Sequence, residues 1–228
     1  MLRRMARRGN EWPTSPCLPS EVPLDVNLRL TAGGQLDGLT VQGDYSEAHL
    51  EGLVIEDTRI VRSSFIAADL SRLILVDVVV DASDFSGADM EEASFTRVTF
   101  ENCRMSGARL PRTQLRDVTF SEVRLDGGNF RMSTGERVLF DHVNLERGDF
   151  YSANMTSTRF FDCDLTGADL SQAKLPGARL HGSVLLELKG GEYLRNVVID
   201  SSQVLPLATG VFAGLNIRIE DERDPPNP

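Results

Sequence analysis

Histidine, cysteine and carboxylate side chains are the residues of this sequence that could perform chemistry. The chain of 228 residues has three His, three Cys and 34 Asp and Glu. No Cys lies next to a His, and no glycine-rich phosphate loop or nucleophile elbow is present. Acidic residues this numerous form pairs by accident, which favours solvated faces over an acid–base pair. The sequence therefore predicts no enzyme, no cofactor and no metal.

A five-residue period is the strongest pattern in the chain. Within residues 82–110 the large apolar residues are Phe85, Met90, Phe95, Phe100, Met105 and Leu110. A helix would scatter such residues around its cylinder, and a strand would point every second one into water. All of them stay inside only if the backbone turns a corner within each repeat, so that the chain winds as a coil of short straight sides.

The same phase continues over most of the chain. From Leu50 to Leu185 every position divisible by five is apolar except Gly135, which is 27 of 28 positions. The residue two positions earlier is usually small, as at Ala88, and points to the same side of a strand. A small inward residue leaves room for each large one, which predicts a filled core.

Segments with the pattern A-[D/N]-[L/F]-x-x carry a resemblance to a known family. Residues 168–172 show this pattern, and residues 88–92 and 153–157 show it with Met at the third position. Residues 38 to 189 resemble the pentapeptide repeat family as a whole. The resemblance implies an all-β fold, a right-handed quadrilateral β-helix with twenty residues per coil and about seven coils. Some members of that family inhibit or protect DNA gyrase by imitating the acidic rod of duplex DNA.

The ends of the chain depart from the repeat. Residues 1–37 lack the period and contain four prolines, which predicts an irregular N-terminal arm that folds back over the exposed β-branched residues of the first coils. Residues 190–219 are expected to form a cap with a short helix that starts near Asp200 and ends near Gly214. The acidic, proline-containing tail 220–228 is expected to be disordered.

A twenty-residue coil places the candidate reactive residues far apart. His142 and His181 come two coils apart, which is too far for one metal site or one catalytic pair. Cys103 and Cys163 share one inward column three coils apart, about 14 Å at strand spacing, which is too far for a disulfide. The two cysteines are therefore expected to fill the core.

Charged residues sort into outward columns, because residues twenty apart stack on one another. One column contains Asp69, Asp89, Asp149 and Asp169, and each Asp could either bind a partner or accept a hydrogen bond from its own turn. The net charge is −10, while the first twelve residues include four Arg against one Glu. An acidic rod attracts basic, DNA-binding surfaces. An arginine belt at Arg97, Arg104, Arg109, Arg112, Arg116, Arg124 and Arg131 interrupts the acidic surface.

Two positions in the core invite specific predictions. Phe100, Phe120 and Phe140 share one inward column with Phe160, which predicts a stack of rings. Gly135 is the break in the period, which leaves an empty cavity, collapse of neighbouring side chains into the gap, or a bulge, and the polar residues on either side favour the bulge. The side at Gly135, with Glu136 and Arg137, is therefore predicted to project a small loop. The resemblance to the pentapeptide repeat family makes this loop a candidate contact for a partner.

The sequence thus predicts a non-catalytic, cytoplasmic protein-interaction module. The resemblance makes DNA gyrase, a type II topoisomerase, the candidate partner, without direct binding of nucleic acid or membrane, and it makes a homodimer through the C-terminal cap an open possibility. The alternative is a ligand-binding protein or enzyme that uses a pocket near Gly135 or under the N-terminal arm.

Overall fold

The computed structural model describes residues 12–19, 22–25 and 28–217, in which the chain forms a parallel β-solenoid with one sheet of eleven strands. The expected tail 220–228 and the first eleven residues of the arm lie outside the described residues. The strands are β1 (Leu24–Asp25), β2 (Gln35–Asp37), β3 (Thr40–Val41), β4 (Val54–Glu56), β5 (Arg59–Val61), β6 (Ile74–Asp81), β7 (Ser94–Glu101), β8 (Gln114–Ser121), β9 (Thr134–Asp141), β10 (Asn154–Thr156) and β11 (Arg159–Phe161).

Every fifth residue turns the chain, as the period predicts. From Glu47 to Glu187 each residue whose number ends in 2 or 7 has a positive φ, whether it is glycine or not. In one coil these corners are Gly87, Glu92 and Arg97, followed by a fourth at residue 102. Each corner follows a bulky inward residue by two positions, so that four corners close one coil.

The coil repeats every twenty residues through most of the rod. Strand pairing joins Arg59 to Val79, and the same column then continues in steps of twenty residues to Arg179. At both ends the step shortens to nineteen residues, from Thr40 to Arg59 and from Arg179 to Val198. Six full steps of twenty residues separate Arg59 from Arg179, in agreement with a solenoid of about six turns.

The four sides of a coil differ in regularity. In the coil of residues 83–102 we number them side 1 (83–86), side 2 (88–91), side 3 (93–96) and side 4 (98–101). Strands β6 to β9 each have eight residues and cover sides 3 and 4 across one corner. Sides 1 and 2 are turns, yet their amides also reach the next coil, as Phe85 N–H does to the Arg104 carbonyl at 2.7 Å. Backbone groups on all four sides are thereby satisfied.

The inward residues form one continuous core with stacked aromatic rings. Phe100 stacks on Phe120 with ring centroids 5.0 Å apart, and Phe120 stacks on Phe140 at the same distance. Phe160 continues the column at 4.9 Å, and all four side chains are fully buried. This spacing equals the separation of paired strands, about 4.8 Å, so the rings stack because the coils do. The predicted aromatic column is confirmed.

The C-terminal end of the rod is closed by two short 3₁₀ helices and one α-helix. The 3₁₀ helices are Gly191–Tyr193 and Ser201–Gln203, and α1 spans Val204–Gly214, as the sequence predicts for this helix. Asp200 and Gln203 form a capping box at the second 3₁₀ helix. Gln203 is buried, and its side-chain amide donates to the carbonyls of Leu180 and Ser183 in the last coil. These bonds satisfy part of an otherwise open sheet edge.

Truncation of the stacked rings tests the core. We expect Phe120→Ala to lower the free energy of unfolding by about 3–5 kcal/mol, since the neighbouring rings are held by their own coils and cannot close the gap. Gln114→Ala, an exposed position on the same strand, should change it by less than about 0.5 kcal/mol. Urea unfolding at one fixed protein concentration measures both values. Equal midpoints for the two variants would contradict the inward assignment.

Candidate interaction surfaces

The predicted acidic column lies on side 2, where every Asp is part of its own turn. The Oδ1 atom of Asp89 accepts the backbone N–H of Glu91 at 3.1 Å, and Asp149 accepts that of Tyr151 at 2.9 Å. Asp69 and Asp169 make the same bond two residues further along. The hydrogen bonds to Ser71 lower the pKa of Asp69. One oxygen of each Asp therefore serves the turn, and the other is left for a second contact.

Arginines of neighbouring coils meet two of these carboxylates. Arg109 Nη1 lies 3.3 Å from Asp89 Oδ2, and Arg131 Nη1 lies 2.9 Å from Asp149 Oδ2. The guanidinium of Arg131 also lies 4.3 Å from the centre of the Tyr151 ring. These pairs are about a third to a half exposed, so each contributes little to stability. The column therefore consists of two acidic patches, with Arg109 and Asn129 between them.

The structure does not contain the loop predicted at Gly135. Gly135 lies within β9 and pairs in register with Leu115 on one side and Met155 on the other. A Cβ at this position would lie 3.1 Å from Val138 Cγ2 and 3.2 Å from Met155 Cγ. Neighbouring side chains, including the flexible Met155, therefore fill the space that a large residue would occupy. The bulge prediction is wrong because the core closes over the gap without displacing the backbone.

Glu136 and Arg137 are accordingly strand residues with different environments. Glu136 is exposed and lies 3.8 Å from Arg116 Nε of the preceding coil. Arg137 is a corner residue whose side chain is only 16% exposed. Its Nε and Nη2 atoms donate to the two oxygens of Asp117 at 2.7 and 2.8 Å. The remaining Nη1 atom of Arg137 donates to Glu136. Arg137 is thus fully engaged inside the protein, whereas the Glu136 side chain stays about half exposed.

The pair Asp117–Arg137 belongs to a column that we call the Asp/Arg ladder: Asp77, Arg97, Asp117 and Arg137. These are successive corners between sides 3 and 4, and Arg97 bonds both oxygens of Asp77 as Arg137 does those of Asp117. The guanidinium groups hold the pKa of both carboxyls below the usual range. Negative and positive residues alternate along the ladder, so the bidentate pair Asp77–Arg97 recurs two coils later as Asp117–Arg137.

The N-terminal arm lies along this ladder. The backbone N–H of Thr14 donates to Asp117 Oδ1 at 3.0 Å, and that of Cys17 donates to Asp77 Oδ1 at 3.0 Å. The ring of Trp12 is 3.9 Å from the guanidinium of Arg159. The arm thus returns along the rod from Arg159 in a later coil to Asp77 in an early one. Ile74, a β-branched residue of the first coils, remains 39% exposed.

A cluster that the sequence analysis missed surrounds His142. Its Nδ1 lies 3.0 Å from Asp141 Oδ1, and its Nε2 lies 3.9 Å from Asp162 Oδ2. One donor atom from each of the three residues lies within 4.8 Å of the others, an arrangement that could hold a metal ion. The signal was available, since Asp162 is twenty residues after His142 and therefore stacks on it. The side chains of His142 and Asp162 are 62% and 59% exposed, so solvent competes for the group.

The cysteines provide no nucleophile in the core. Cys103 and Cys163 are buried, and burial raises the pKa of each thiol to about 12. Each is therefore a protonated thiol at neutral pH, and the predicted core role is confirmed. Cys17 is exposed on the arm.

The C-terminal cap presents an apolar surface. No residue of α1 is buried, and Leu205 and Val204 are 76% and 57% exposed. Leu215 and Ile217, which follow the helix, are about half exposed. Within the described residues α1 is the single α-helix, and none of the helices there is long and apolar enough to cross a membrane.

Comparison with known families agrees with this architecture. The model described as "Pentapeptide repeat region" matches residues 93–170, and the one described as "Pentapeptide repeats (8 copies)" matches residues 63–102, 74–110 and 163–187. Together the matches extend over residues 63–187, which is more than half of the chain. A parallel solenoid with a corner at every fifth residue is the class of protein that these models describe. The chain belongs to the pentapeptide repeat family.

Solved structures of the same fold are similar at low identity. Full-length QnrB1, a plasmid-mediated fluoroquinolone resistance protein, is 19% identical, with 81% of this chain and 100% of that chain covered and a TM-score of 0.41. HetL, involved in heterocyst differentiation regulation in the cyanobacterium Nostoc, is 18% identical, with 75% and 90% covered and a TM-score of 0.28. No curated protein matches the sequence at a significant level.

Removal of one ladder carboxylate tests the ion pairs. Asp117→Asn should lower the free energy of unfolding by about 3 kcal/mol at pH 7, because the largely buried Arg137 then keeps only the half-exposed Glu136 as a counter-charge. The pKa of Asp117 is depressed in the folded state, so its contribution is present above the unfolded pKa and is lost as pH falls through the folded pKa. The difference between wild type and variant should therefore shrink below about pH 4.

The matched control is Glu122→Gln, an exposed corner of the same coil. It should change the free energy of unfolding by less than about 0.5 kcal/mol at either pH. A difference for Asp117→Asn that stays constant from pH 7 to pH 2 would show that the ion pair is not its source.

Proposed function

We propose that this protein is a non-catalytic interaction module that binds a basic, DNA-binding protein surface through side 2, with DNA gyrase as the partner. The observation that carries the proposal is the fixed row of aspartates. Asp69, Asp89, Asp149 and Asp169 are held by their own turns, so their charge is presented without loss of side-chain freedom on binding. A preorganised acidic surface favours a basic partner.

The spacing of the charges describes the partner surface. Asp69 and Asp89 lie on adjacent coils, as do Asp149 and Asp169. The two pairs are three coils apart between Asp89 and Asp149, or about 14 Å. Arg109 between them would repel a uniformly basic surface. The proposed partner surface therefore has two basic patches with a neutral or acidic centre. Side 2 itself differs from duplex DNA, because its negative charge is interrupted and that of DNA is continuous.

Substitution of Asp by Asn is expected to remove the charge on side 2 while the turn hydrogen bonds are kept. Asn129 in the same column already accepts a backbone N–H two residues on at 3.0 Å, and Asn144 does so on side 1 at 2.9 Å. Changing the four aspartates to Asn should therefore keep every turn bond and remove four charges.

A supercoiling assay with purified gyrase tests this proposal. Wild-type protein should change the supercoiling rate in a manner that weakens with added salt, because screening reduces the attraction. The variant with Asn at 69, 89, 149 and 169 should require at least about tenfold more protein for the same effect. Asp44, Asp84 and Asp164 on side 1 form the matched control, and their change to Asn should leave the effect within about twofold.

Two results would reject parts of this proposal separately. If gyrase is unaffected by the wild-type protein at every concentration, gyrase is not the partner. If the side 2 variant acts like wild type on gyrase, the acidic column is not the contact surface.

We further propose that two copies associate through the C-terminal cap. The exposed side chains of Val204, Leu205 and Phe212 lie on or beside one short helix with no buried residue. Apolar surface of this kind is stabilised by burial against a partner. A closed two-fold pair would bury the same patch on each copy.

Sedimentation analysis tests the pairing. The wild-type chain should sediment as a dimer, and Leu205→Asp as a monomer, since a buried unpaired carboxylate opposes association. Thr209→Asp, also exposed on α1, serves as the control for added charge. A wild-type chain that is monomeric at all concentrations would disprove the pairing. We place this dimer in the cytoplasm, where gyrase acts.

A further inference from the structure

The Asp/Arg ladder and the arm share one repeat distance. Pro13, Pro16 and Pro19 recur every three residues, and the two donors of the arm, Thr14 and Cys17, are also three apart. Proline at every third position favours the polyproline II helix, which has three residues per turn and advances about 9.3 Å per turn. Their acceptors, on Asp117 and Asp77, are two coils apart, or about 9.6 Å.

We propose that the Asp/Arg ladder is a docking site for proline-rich, polyproline II segments of other proteins, and that the arm is the segment that occupies it in the free protein. The partner segment would carry an aromatic residue followed two and five residues later by backbone N–H groups, as Trp12 is followed by Thr14 and Cys17. This proposal concerns a different part of the coil from side 2 and does not depend on gyrase.

The ladder is ready to receive such a segment without rearrangement. Arg97 and Arg137 hold Asp77 and Asp117 in place through bidentate bonds that involve no residue of the arm. The Oδ1 atom of each Asp accepts one bond from its Arg and one from the arm. Departure of the arm therefore leaves both carboxylates paired and correctly placed. A preformed acceptor row reduces the ordering that binding requires.

The aromatic contact fixes the register of the segment. Arg159 is almost fully buried, with 6% exposure, and its guanidinium faces the ring of Trp12. Phe161 meets the same ring edge-on, with centroids 5.9 Å apart. A desolvated guanidinium against an aromatic face is a strong cation–π arrangement. An aromatic residue at this point aligns the two N–H groups with Asp117 and Asp77.

The arm itself is held loosely enough to be exchanged. Trp12 remains 47% exposed, Thr14 and Cys17 are exposed, and Pro13 and Pro16 are only partly buried. The described residues of the arm contact the ladder through two hydrogen bonds, each from a backbone N–H. Its attachment to the rod still gives the arm a high effective concentration at the ladder. A free segment should therefore bind best to a chain whose own arm is disabled.

The experiment uses the full chain with the substitutions Trp12→Ala, Thr14→Pro and Cys17→Pro. These remove the ring and both N–H donors from the arm and leave every ladder residue unchanged. The probe is a fluorescent peptide with the sequence of residues 10–19, in which serine replaces the cysteine. Fluorescence anisotropy should show saturable binding to this chain and at least about tenfold weaker binding to the wild type, whose arm competes.

Methylation of single peptide nitrogens supplies the matched controls, with the protein unchanged. N-methylation at the Thr14 or Cys17 position should weaken binding about tenfold, since each N–H donates to a charged acceptor. N-methylation at the Ser15 position should have less than about twofold effect, because the structure gives the N–H of this described residue no acceptor. Absence of saturable binding by the folded variant, equal binding to wild type, or equal effects of methylation at all three positions would overturn the proposal.

Discussion

The structure depends on one constraint, which is that every fifth residue must turn the backbone through the left-handed region. Most of these corners are not glycine, and a left-handed conformation costs each of them about 1–2 kcal/mol. The cost is offset by what the corner makes possible: one bulky residue per side is buried, and the backbone groups of each side reach the next coil. The interior therefore tolerates little change, whereas the outward columns are free to vary in charge.

The outward columns of the rod differ in how their charges are used. Asp89 on side 2 gives one oxygen to its turn, and its other oxygen faces Arg109. Asp117 at a corner is enclosed by Arg137 and by the arm. The same residue type thus acts as a surface charge in one column and as an acceptor for the arm in another. The difference arises from exposure and from the neighbour twenty residues away.

Much of this architecture could be predicted from the period alone. The inward phase places Phe120 correctly, and the capping signal at Asp200 marks the 3₁₀ helix Ser201–Gln203 that leads directly into α1. The regular backbone at Gly135 could not be predicted. Val138 and Met155 fill the space of the missing side chain, and sequence spacing does not show whether neighbouring side chains can reach into a gap. The pairing of Arg137 with Asp117 could have been predicted, since the two are twenty residues apart and stack at one corner. The contact of the arm with Asp117 could not, because the path of the arm is not encoded in the repeat. The register itself would have revealed the cluster at His142.

Amide hydrogen exchange tests most directly the claim that all four sides are joined from coil to coil. On the turn sides, the N–H groups of Phe85, Leu110 and Phe130 each donate to the following coil at 2.7 Å. Their exchange in the native state should be as slow as that of Phe100 and Phe120 in the long strands, because opening either requires separation of two coils. Exchange of the turn-side amides at the rates of an open loop, with the strand amides protected, would contradict the account.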